Sequence, residues 1–265
     1  MDFMDNTLTI ENLVKNNILP RYIYKYYTDK ENRLQETLNN QTIWFSMPMD
    51  FNDPFDCRLR VNANSIEKDI NVFAEHLFDS RIVSDVEKLK LRRILHNPKD
   101  RQMIANESIM YNVAKSGVSC FSKNRDSILM WSHYSNKHKG YCLKFDVLKD
   151  PKFFIIPVIV DYKTKYPNID FFRNYNKNRN ALFAYIFGKK FSDWSYEEEI
   201  RIVKHAQGNV RINPESIVEI SFGVNCIDDN IELIKNLCQI NNYKHINFEK
   251  AKRKERDFQV KFNKT

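Results

Sequence analysis

Residues 65–116 carry helix signals and separate two groups of strand-like runs, and this arrangement constrains the fold more than any other feature of the chain. Ser84 with Glu87 fits a capping box, and Asn97 before a proline fits an N-cap followed by proline at the first helical position. Gly117 stands where a glycine C-cap belongs. We therefore predict that this segment is helical throughout.

Strand-like runs lie on both sides of the helical segment. Before it, Tyr22 to Tyr26 and "TIWFS" are separated by a helix from about Lys30 to Leu38, and "CRLRV" alternates apolar with basic residues as a half-buried strand does. After it we predict the strands "GVSCFS", "YCLKFDV" and "FIIPVIVDY", a helix around 177–188, the strands "YEEEIRIV" and "SIVEISFG", a helix at 228–239, and the strands "YKHINF" and "DFQVKF". This order predicts an α+β fold in one domain over residues 1–265, with a helical insertion at about 65–116.

Composition agrees with a folded protein that carries reduced thiols. The apolar share is 42%, and no run approaches the roughly 20 apolar residues that cross a bilayer. The five cysteines are scattered without a CxxC pair, and the opening stretch "MDFMDNTLTIENLVKNN" lacks the pattern of a signal peptide. We expect a cytoplasmic protein without membrane contact. The formal charge of +8 favours an anionic partner, either a small nucleotide or nucleic acid.

A short helix is predicted between two strands in "SCFSKNRDSILMWSHYSNKHKGYCLKFD". Asp126 or Asn124 is expected to cap the helix, which starts at Ser127. Gly140 is expected to end it in a conformation that other residues disfavour.

This helix carries an indole, an imidazole and a phenol. Trp131 is expected to anchor the helix onto the sheet, as large buried aromatic residues commonly do. For His133 and Tyr134 two interpretations stay open. They fill a core, or they form a ring-stacking and ribose-binding corner with the strand that ends at Phe121 and Ser122.

The segment "WSYEEEIRIV" lines up charged side chains if it forms a strand. Alternation then turns Tyr196, Glu198, Ile200 and Ile202 to the core and Glu197, Glu199, Arg201 and Val203 to the opposite face. One interpretation is a solvated face whose charges pair across the sheet. The other is a catalytic face. There Glu199 polarises a sugar hydroxyl or stabilises a cationic transition state, Glu197 positions the acceptor, and Arg201 neutralises one of the carboxylates.

The segment "MPMDFNDPFD" is predicted to be a loop, because its two prolines remove backbone donors and restrict the residues before them. Asn52 and Asp53, followed by Pro54, give a strong turn signal. The turn is either structural or part of a loop over the mouth of a pocket.

Metal and phosphate-loop motifs receive little support. His133 and His138 are not spaced as ligands on one helix face, and the acids of "FNDPFD" lack matching partners. The five glycines do not cluster, and no GxSxG occurs. We therefore expect no metal.

Four blocks together resemble an uncharacterised bacterial family known only as a domain of unknown function. Its pattern is "YKY", then "IWFS.P..FNDPFD", then "CFS....S.LMWSHY...HKG.CL.FD", and last "W.YE.E.R.V". The matching residues are Tyr24–Tyr26, Ile43–Asp56, Cys120–Asp146 and Trp194–Val203, which cover most of residues 22–205.

The order of the parts also resembles, more distantly, the ADP-ribosyltransferase fold, a split and mainly antiparallel β-sheet that grips NAD. This resemblance implies NAD as co-substrate and a catalytic Glu199, since "YEEE" is similar to the ExE pair whose second glutamate is catalytic in that superfamily. Glu197 is the other member of the pair. The NAD-binding residues implied are Tyr24, Lys25, Phe121, Ser122, His133 and Tyr134, with Asn52, Asp53, Trp131 and Arg201 elsewhere in the pocket.

The leading hypothesis is therefore an NAD-dependent ADP-ribosyltransferase-like enzyme, with a nucleic acid as one candidate acceptor. By analogy it would act as a toxin or in anti-phage defence. The alternative is a non-enzymatic nucleic-acid-binding or interaction module, suggested by the net charge and the basic stretch "KAKRKERDF". A metal-dependent nuclease that uses Asp53, Asp56 and "EEEIRIVK" requires acids from distant segments to converge.

Overall fold

Helices and strands are intermixed along the chain, whose computed structural model describes residues 9–58, 60–79, 84–166, 168–177 and 179–265. The helices in the described part are α1 (Ile10–Lys15), α2 (Arg33–Asn40), α3 (Glu67–Asp79), α4 (Asp85–His96), α5 (Pro98–Lys115), α6 (Ile128–Tyr134), α7 (Phe171–Lys177), α8 (Arg179–Gly188) and α9 (Asp228–Ile240). The strands are β1 (Tyr22–Tyr27), β2 (Thr42–Phe45), β3 (Val61–Asn62), β4 (Gly117–Ser122), β5 (Tyr141–Asp146), β6 (Pro157–Ile159), β7 (Asp161–Lys163), β8 (Ile169–Asp170), β9 (Lys189–Phe191), β10 (Glu199–Lys204), β11 (Gly208–Arg211), β12 (Ile217–Phe222), β13 (Asn247–Arg253) and β14 (Val260–Lys264). Short 3-10 helices occupy Pro48–Asp50, Val147–Lys149, Ser192–Glu197 and Pro214–Ser216.

An eight-stranded sheet with the order β14-β13-β12-β5-β1-β4-β10-β6 is the largest sheet of the described residues. Its neighbouring strands are antiparallel except for β12 and β13, which run parallel. The prediction of an α+β fold with a mainly antiparallel sheet is confirmed, and the predicted split form of that sheet stays a prediction.

Strand pairing is uneven in the middle of this sheet. The strand β1 pairs with β5 over its whole length, from Tyr22 opposite Asp146 to Tyr27 opposite Tyr141. On its other side β1 pairs with β4 at one register position, where Tyr24 lies opposite Ser122. The two strands therefore share one residue pair in the sheet.

One face of the sheet carries the apolar core. Ile23, Phe121, Phe145 and Ile200 point to this face and are almost completely buried. Helices α1, α2 and α9 contribute to the same cluster. Each fully buried side chain of this kind stabilises the fold by roughly 1.5–3 kcal/mol.

The described residues form two compact units. The first comprises the chain up to Ser46, Gly117–Val160 and Asp193–Thr265, and it contains the eight-stranded sheet. The second comprises Met47–Ser116 and Asp161–Ser192. In the second unit α3 packs against α7, with the ring of Phe73 lying 4.9 Å from that of Phe172, centroid to centroid. The prediction of one domain with an insertion at about 65–116 stays a prediction.

Capping signals within 65–116 are confirmed. Ser84 and Glu87 form a capping box at the start of α4, and the Asn97 side chain accepts the backbone N–H groups of Lys99 and Asp100 at the start of α5. The segment consists of separate helices rather than one, and its residues 80–83 lie outside the described part of the chain.

Both expected glycine caps are wrong. Ser116 is the C-cap of α5, and Gly117 already belongs to β4. The chain leaves α6 through Asn136, Lys137 and His138, which all have positive φ. Position 140 requires glycine for a steric reason instead, because a Cβ atom there would lie 2.0 Å from the carbonyl oxygen of Tyr27.

Two predicted strands are shorter than expected. Leu59 of "CRLRV" lies outside the described residues, and of the other four only Val61 enters a strand, because Cys57 lies in a turn with φ +54°. The run "FIIPVIVDY" is divided into β6 and β7, and Ile156 before β6 has φ +55°.

In the described ranges, none of the helices combines the length and the apolar character that crossing a membrane requires.

Candidate functional site

Three predicted site residues lie side by side in the sheet, on the face opposite the apolar core. Ser122 of β4 lies opposite Tyr24 of β1 on one side and opposite Glu199 of β10 on the other. Residues that face each other in neighbouring strands project to the same side of a sheet, because side chains alternate along each strand. Tyr24, Ser122 and Glu199 therefore form one row across three strands.

The carboxylate of Glu199 is buried and paired. Arg201, two residues along β10, donates from Nε to Oε1 and from Nη2 to Oε2 of Glu199, both at 2.9 Å. Only 4% of Glu199 and 0% of Arg201 is exposed. A buried carboxylate requires such compensation, since an unpaired charge in the protein interior is strongly unfavourable. The interpretation of this face as a solvated strand surface is therefore wrong.

Glu197 does not belong to the strand that the sequence predicted. It ends the 3-10 helix Ser192–Glu197, and Glu198 follows with φ +44°, so the alternation of side chains begins only at Glu199. The Ser122 hydroxyl donates to the carbonyl oxygen of Glu197 at 2.7 Å and thus ties this turn to the row. Glu197 is 3% exposed, so both carboxylates of the predicted ExE pair are buried.

Tyr134 contacts Glu197 from α6. Its hydroxyl donates to Oε1 of Glu197 at 2.5 Å. Burial, together with the neighbouring Glu197 carboxylate, raises the pKa of the Tyr134 phenol far above its usual range. Tyr134 is therefore a hydrogen-bond donor at every pH at which the protein would normally work.

The helix α6 is fixed on the polar face of the sheet by Trp131. Its indole is fully buried, its Nε1 donates to the carbonyl oxygen of Arg125 at 2.7 Å, and its ring meets that of Tyr26 edge-on at 5.2 Å between centroids. The expectation that Trp131 anchors this helix is confirmed. The expected cap is wrong, because the Ser127 side chain, rather than Asp126 or Asn124, accepts the N–H of Met130.

An aromatic series extends from α6 to the 3-10 helix. The exposed ring of His133 lies 6.1 Å from that of the half-buried Tyr196, which in turn lies 6.1 Å from that of Trp194. The strand interpretation had assigned Tyr196 to the core. The His133 and Trp194 rings are tilted by 37° and 38° against that of Tyr196, so the three rings are not coplanar.

Lys25 and Phe121 lie on the other face of the sheet. The ammonium group of Lys25 donates to Ser119 Oγ at 2.9 Å and to the Cys120 carbonyl at 3.1 Å, and it lies 5.2 Å from the ring centroid of Phe121. Burial lowers the pKa of Lys25. Phe121 is part of the apolar core. Neither side chain therefore joins the row of Tyr24, Ser122 and Glu199.

Sequence reasoning missed Cys120, which lies opposite Arg201 in the pairing of β4 with β10. Burial, with Glu199 nearby, raises the pKa of this thiol well above its usual range, so it is a poor nucleophile. The alternation in "GVSCFS" was a usable signal, since it places Cys120 on the face of Ser122.

A second missed group surrounds Glu219 on β12. Arg125 donates to the carboxylates of Glu219 and Glu249, and Lys144 lies 3.5 Å from Glu219. Glu219 follows Lys144 and Tyr24 in the same cross-strand register, so the polar face continues beyond the row. No local sequence motif predicts this cluster, because its members come from four separate segments of the chain.

Asn52 and Asp53 belong to the second compact unit. Asn52 is exposed, and Asp53 is buried with its Oδ1 accepting the N–H of Phe55 at 2.9 Å. In the described part of the chain, no three His, Cys, Asp or Glu side chains are grouped so that they could hold a metal ion.

Comparison with protein families found one similarity. A family model described as a protein of unknown function (DUF2971) matches residues 130–202, which run from α6 to β10 and include Tyr134, Glu197 and Glu199. Neither the curated proteins nor the solved structures gave a match.

Proposed function

We propose that this chain is an NAD-dependent ADP-ribosyltransferase-like enzyme in which Glu199 stabilises the transition state. The observation that carries the proposal is the burial of Glu199 in one row with Tyr24 and Ser122, on the face of the sheet that is not the apolar core. Glu197, which carries a second buried carboxylate, is joined to this row through its backbone carbonyl, which accepts the Ser122 hydroxyl.

Buried carboxylates suit the chemistry of a glycosidic bond. As such a bond breaks, positive charge develops on the sugar ring, and a fixed negative charge in a water-poor site stabilises it without reorganisation. The Arg201 guanidinium keeps the position of Glu199 fixed through two parallel hydrogen bonds. A carboxylate fixed in this way supports the assignment of Glu199 to the breaking glycosidic bond.

Each neighbouring residue receives a role in this proposal. Ser122 holds the ribose, and Tyr134 stacks on the nicotinamide ring, with His133 and Tyr196 beside it. The bond between C1′ and the nicotinamide nitrogen breaks, and its electron pair leaves with nicotinamide. A heteroatom of the acceptor forms the new bond to C1′, and its proton passes to Glu197.

The sheet adds indirect support. A split sheet is the expectation for this enzyme class, and β1 pairs with β4 at a single register position, where Tyr24 lies opposite Ser122. Tyr24 is the residue of β1 that we assign to the site. We assign Lys25 no role in binding the phosphates of NAD, because its ammonium group donates to Ser119 and Cys120 on the core face of the sheet.

Label transfer from NAD tests the proposal. The protein is incubated with NAD labelled on the adenylate phosphate, in cell extract with and without nuclease, beside Glu199→Gln. Glu198→Gln is a matched control, because Glu198 is the exposed neighbour of Glu199. We expect label on protein or nucleic acid with the wild type and the control, and none with Glu199→Gln. Equal labelling by all three proteins would refute the role of Glu199.

A further inference from the structure

The loop "FNDPFD" in the second unit buries its acids and exposes its aromatic ring. Asp53 is 8% exposed and Asp56 only 3%, whereas Phe55 between them is 64% exposed. This reverses the usual distribution, in which carboxylates face water and phenylalanine is buried. Such an arrangement needs a specific set of contacts to hold it.

Hydrogen bonds and an ion pair supply those contacts. The Asp53 side chain accepts the N–H of Phe55 at 2.9 Å, and the Asp53 carbonyl accepts the N–H of Asp56 at 3.1 Å. Asp56 Oδ2 lies 3.7 Å from the ammonium nitrogen of the buried Lys190, and Cys57 Sγ lies 3.5 Å from Asp56 Oδ1. The backbone that carries Phe55 is therefore fixed on both sides of the ring.

A second exposed ring stands beside Phe55. Tyr166 is 53% exposed, its hydroxyl donates to the Phe55 carbonyl at 3.2 Å, and the two ring centroids are 6.3 Å apart at a 48° tilt. The loop thus presents two adjacent aromatic faces to water. Held in advance, these rings lose little conformational entropy when a flat ligand stacks on them.

The exposed charges in the same short segments are positive. Arg58 and Arg60 follow Phe55, Lys165 precedes Tyr166, and all three are exposed. Burial, with the Asp53 and Asp56 carboxylates, raises the pKa of the Tyr166 phenol, and Arg60 acts in the opposite direction. Since Asp53 and Asp56 are buried, the exposed charges of this loop and of Lys165 are positive, which favours an anion as the ligand.

We propose that Phe55 and Tyr166, with Arg58, Arg60 and Lys165, form a docking site for single-stranded nucleic acid. Bases stack on the two rings, and the basic side chains bind the phosphates. Aromatic stacking tolerates any base, and the combination of rings with a basic surface is the usual means of binding single strands. The site does not depend on NAD chemistry and stands apart from the proposed function.

Fluorescence anisotropy with a labelled single strand of about 12 nucleotides and mixed sequence tests the site, since site sizes of this order are usual. We expect the full-length protein to bind, with log Kd varying with log salt by a slope of about 2 for three phosphate contacts. Phe55→Ala should weaken binding about fivefold to 150-fold, the loss expected when one base loses its aromatic partner. Arg58→Gln should lower the slope by about 0.7.

Three further variants separate the alternatives. Phe55→Tyr should bind as the wild type does, whereas Phe55→Leu, apolar but without a ring face, should resemble Phe55→Ala. Phe258→Ala is the matched control, because Phe258 is another phenylalanine, 96% exposed, in the β13–β14 hairpin whose sequence also holds Arg256 and Lys261. It should leave the affinity unchanged.

Several results would overturn the proposal. Absence of binding at low salt with folded protein excludes a nucleic-acid site and favours a protein partner for the rings. Full affinity of Phe55→Leu would indicate apolar contact rather than stacking. Loss of binding in Phe258→Ala alone would assign nucleic-acid binding to the hairpin instead.

Discussion

Glu199 faces Ser122 across β10 and β4, while its carboxylate is held by Arg201 of its own strand. Residues two apart on a strand lie roughly 6–7 Å apart on one face, a spacing that the long arginine side chain spans easily. The strand itself therefore fixes the ion pair, and the cross-strand register fixes its place beside Ser122. The ion pair and the strand register together hold the Glu199 carboxylate in a buried position.

The buried pair gives a first prediction about stability. Arg201→Met should lower the free energy of unfolding by about 3–5 kcal/mol, because it removes the guanidinium group that pairs with the buried Glu199 carboxylate. The double variant Glu199→Met with Arg201→Met should recover much of that loss. Urea unfolding of the three proteins measures both effects. A double variant less stable than Arg201→Met would show that the pair is held by more than mutual compensation.

Removing one hydroxyl tests the contact between α6 and Glu197. Tyr134→Phe should reduce stability by about 1–3 kcal/mol, the usual cost of removing a hydrogen bond to a buried carboxylate. Under the proposed function it should also lower kcat more than it raises KM for NAD, since Glu197 is then misplaced while the ring remains. Unfolding and steady-state kinetics together check this. Unchanged stability would mean that the hydroxyl does not bind Glu197.

Alkaline pH should destabilise the first unit through Tyr243. Burial raises the pKa of this phenol to about 12, above the value of about 10 in the unfolded chain. A raised folded-state pKa contributes stability that is complete below pH 10 and is lost as the pH rises toward 12.

Tyr243→Phe removes this contribution to the pH dependence. Within the described structure the Tyr243 hydroxyl is buried without a hydrogen-bond partner, so the variant should be no less stable than the wild type at pH 7. Thermal unfolding between pH 7 and 12 should show a shallower decline for the variant. Parallel curves above pH 10 would contradict the assignment.

Gly140→Ala should destabilise the protein by about 1–3 kcal/mol or more, because the new methyl group meets the Tyr27 carbonyl at 2.0 Å. The reason is space and not backbone conformation. Gly140→Asn should therefore be at least as harmful, although asparagine tolerates the left-handed conformation well. A near-native melting temperature for Gly140→Asn would contradict the steric explanation and favour the predicted role of Gly140 as the C-terminal cap of α6.

The sequence predicted the helices and strands of this fold better than it predicted which of their side chains are buried. Alternation located β4, β5 and β12, and cap residues located α4 and α5. The start of the strand in "YEEEIRIV" was harder to predict. Glu198 has a positive φ, but no glycine or asparagine stands there to indicate it, and the alternation of side chains therefore begins later than expected. Burial of Glu199 and Arg201 could not be read from their charge, since only tertiary contacts decide whether an outer strand face is covered.

Some residues that the sequence placed in one predicted NAD site lie on opposite faces of the sheet. Tyr24 and Lys25 are neighbours, and a strand necessarily sends them to opposite sides of the sheet. Ser122 and Glu197 are distant in sequence and form a hydrogen bond that only the fold creates. The resemblance supplied the candidate residues, and the cross-strand register decided which of them meet.

Nicotinamide release from NAD by the purified protein tests the central claim most directly. The wild type and the control Glu198→Gln should release nicotinamide at similar rates, and Glu199→Gln should be slower by on the order of 10²–10³, as for other losses of transition-state charge stabilisation. Circular dichroism confirms that each protein is folded. Release that is undetectable in the folded wild type, or unchanged in Glu199→Gln, would contradict the account.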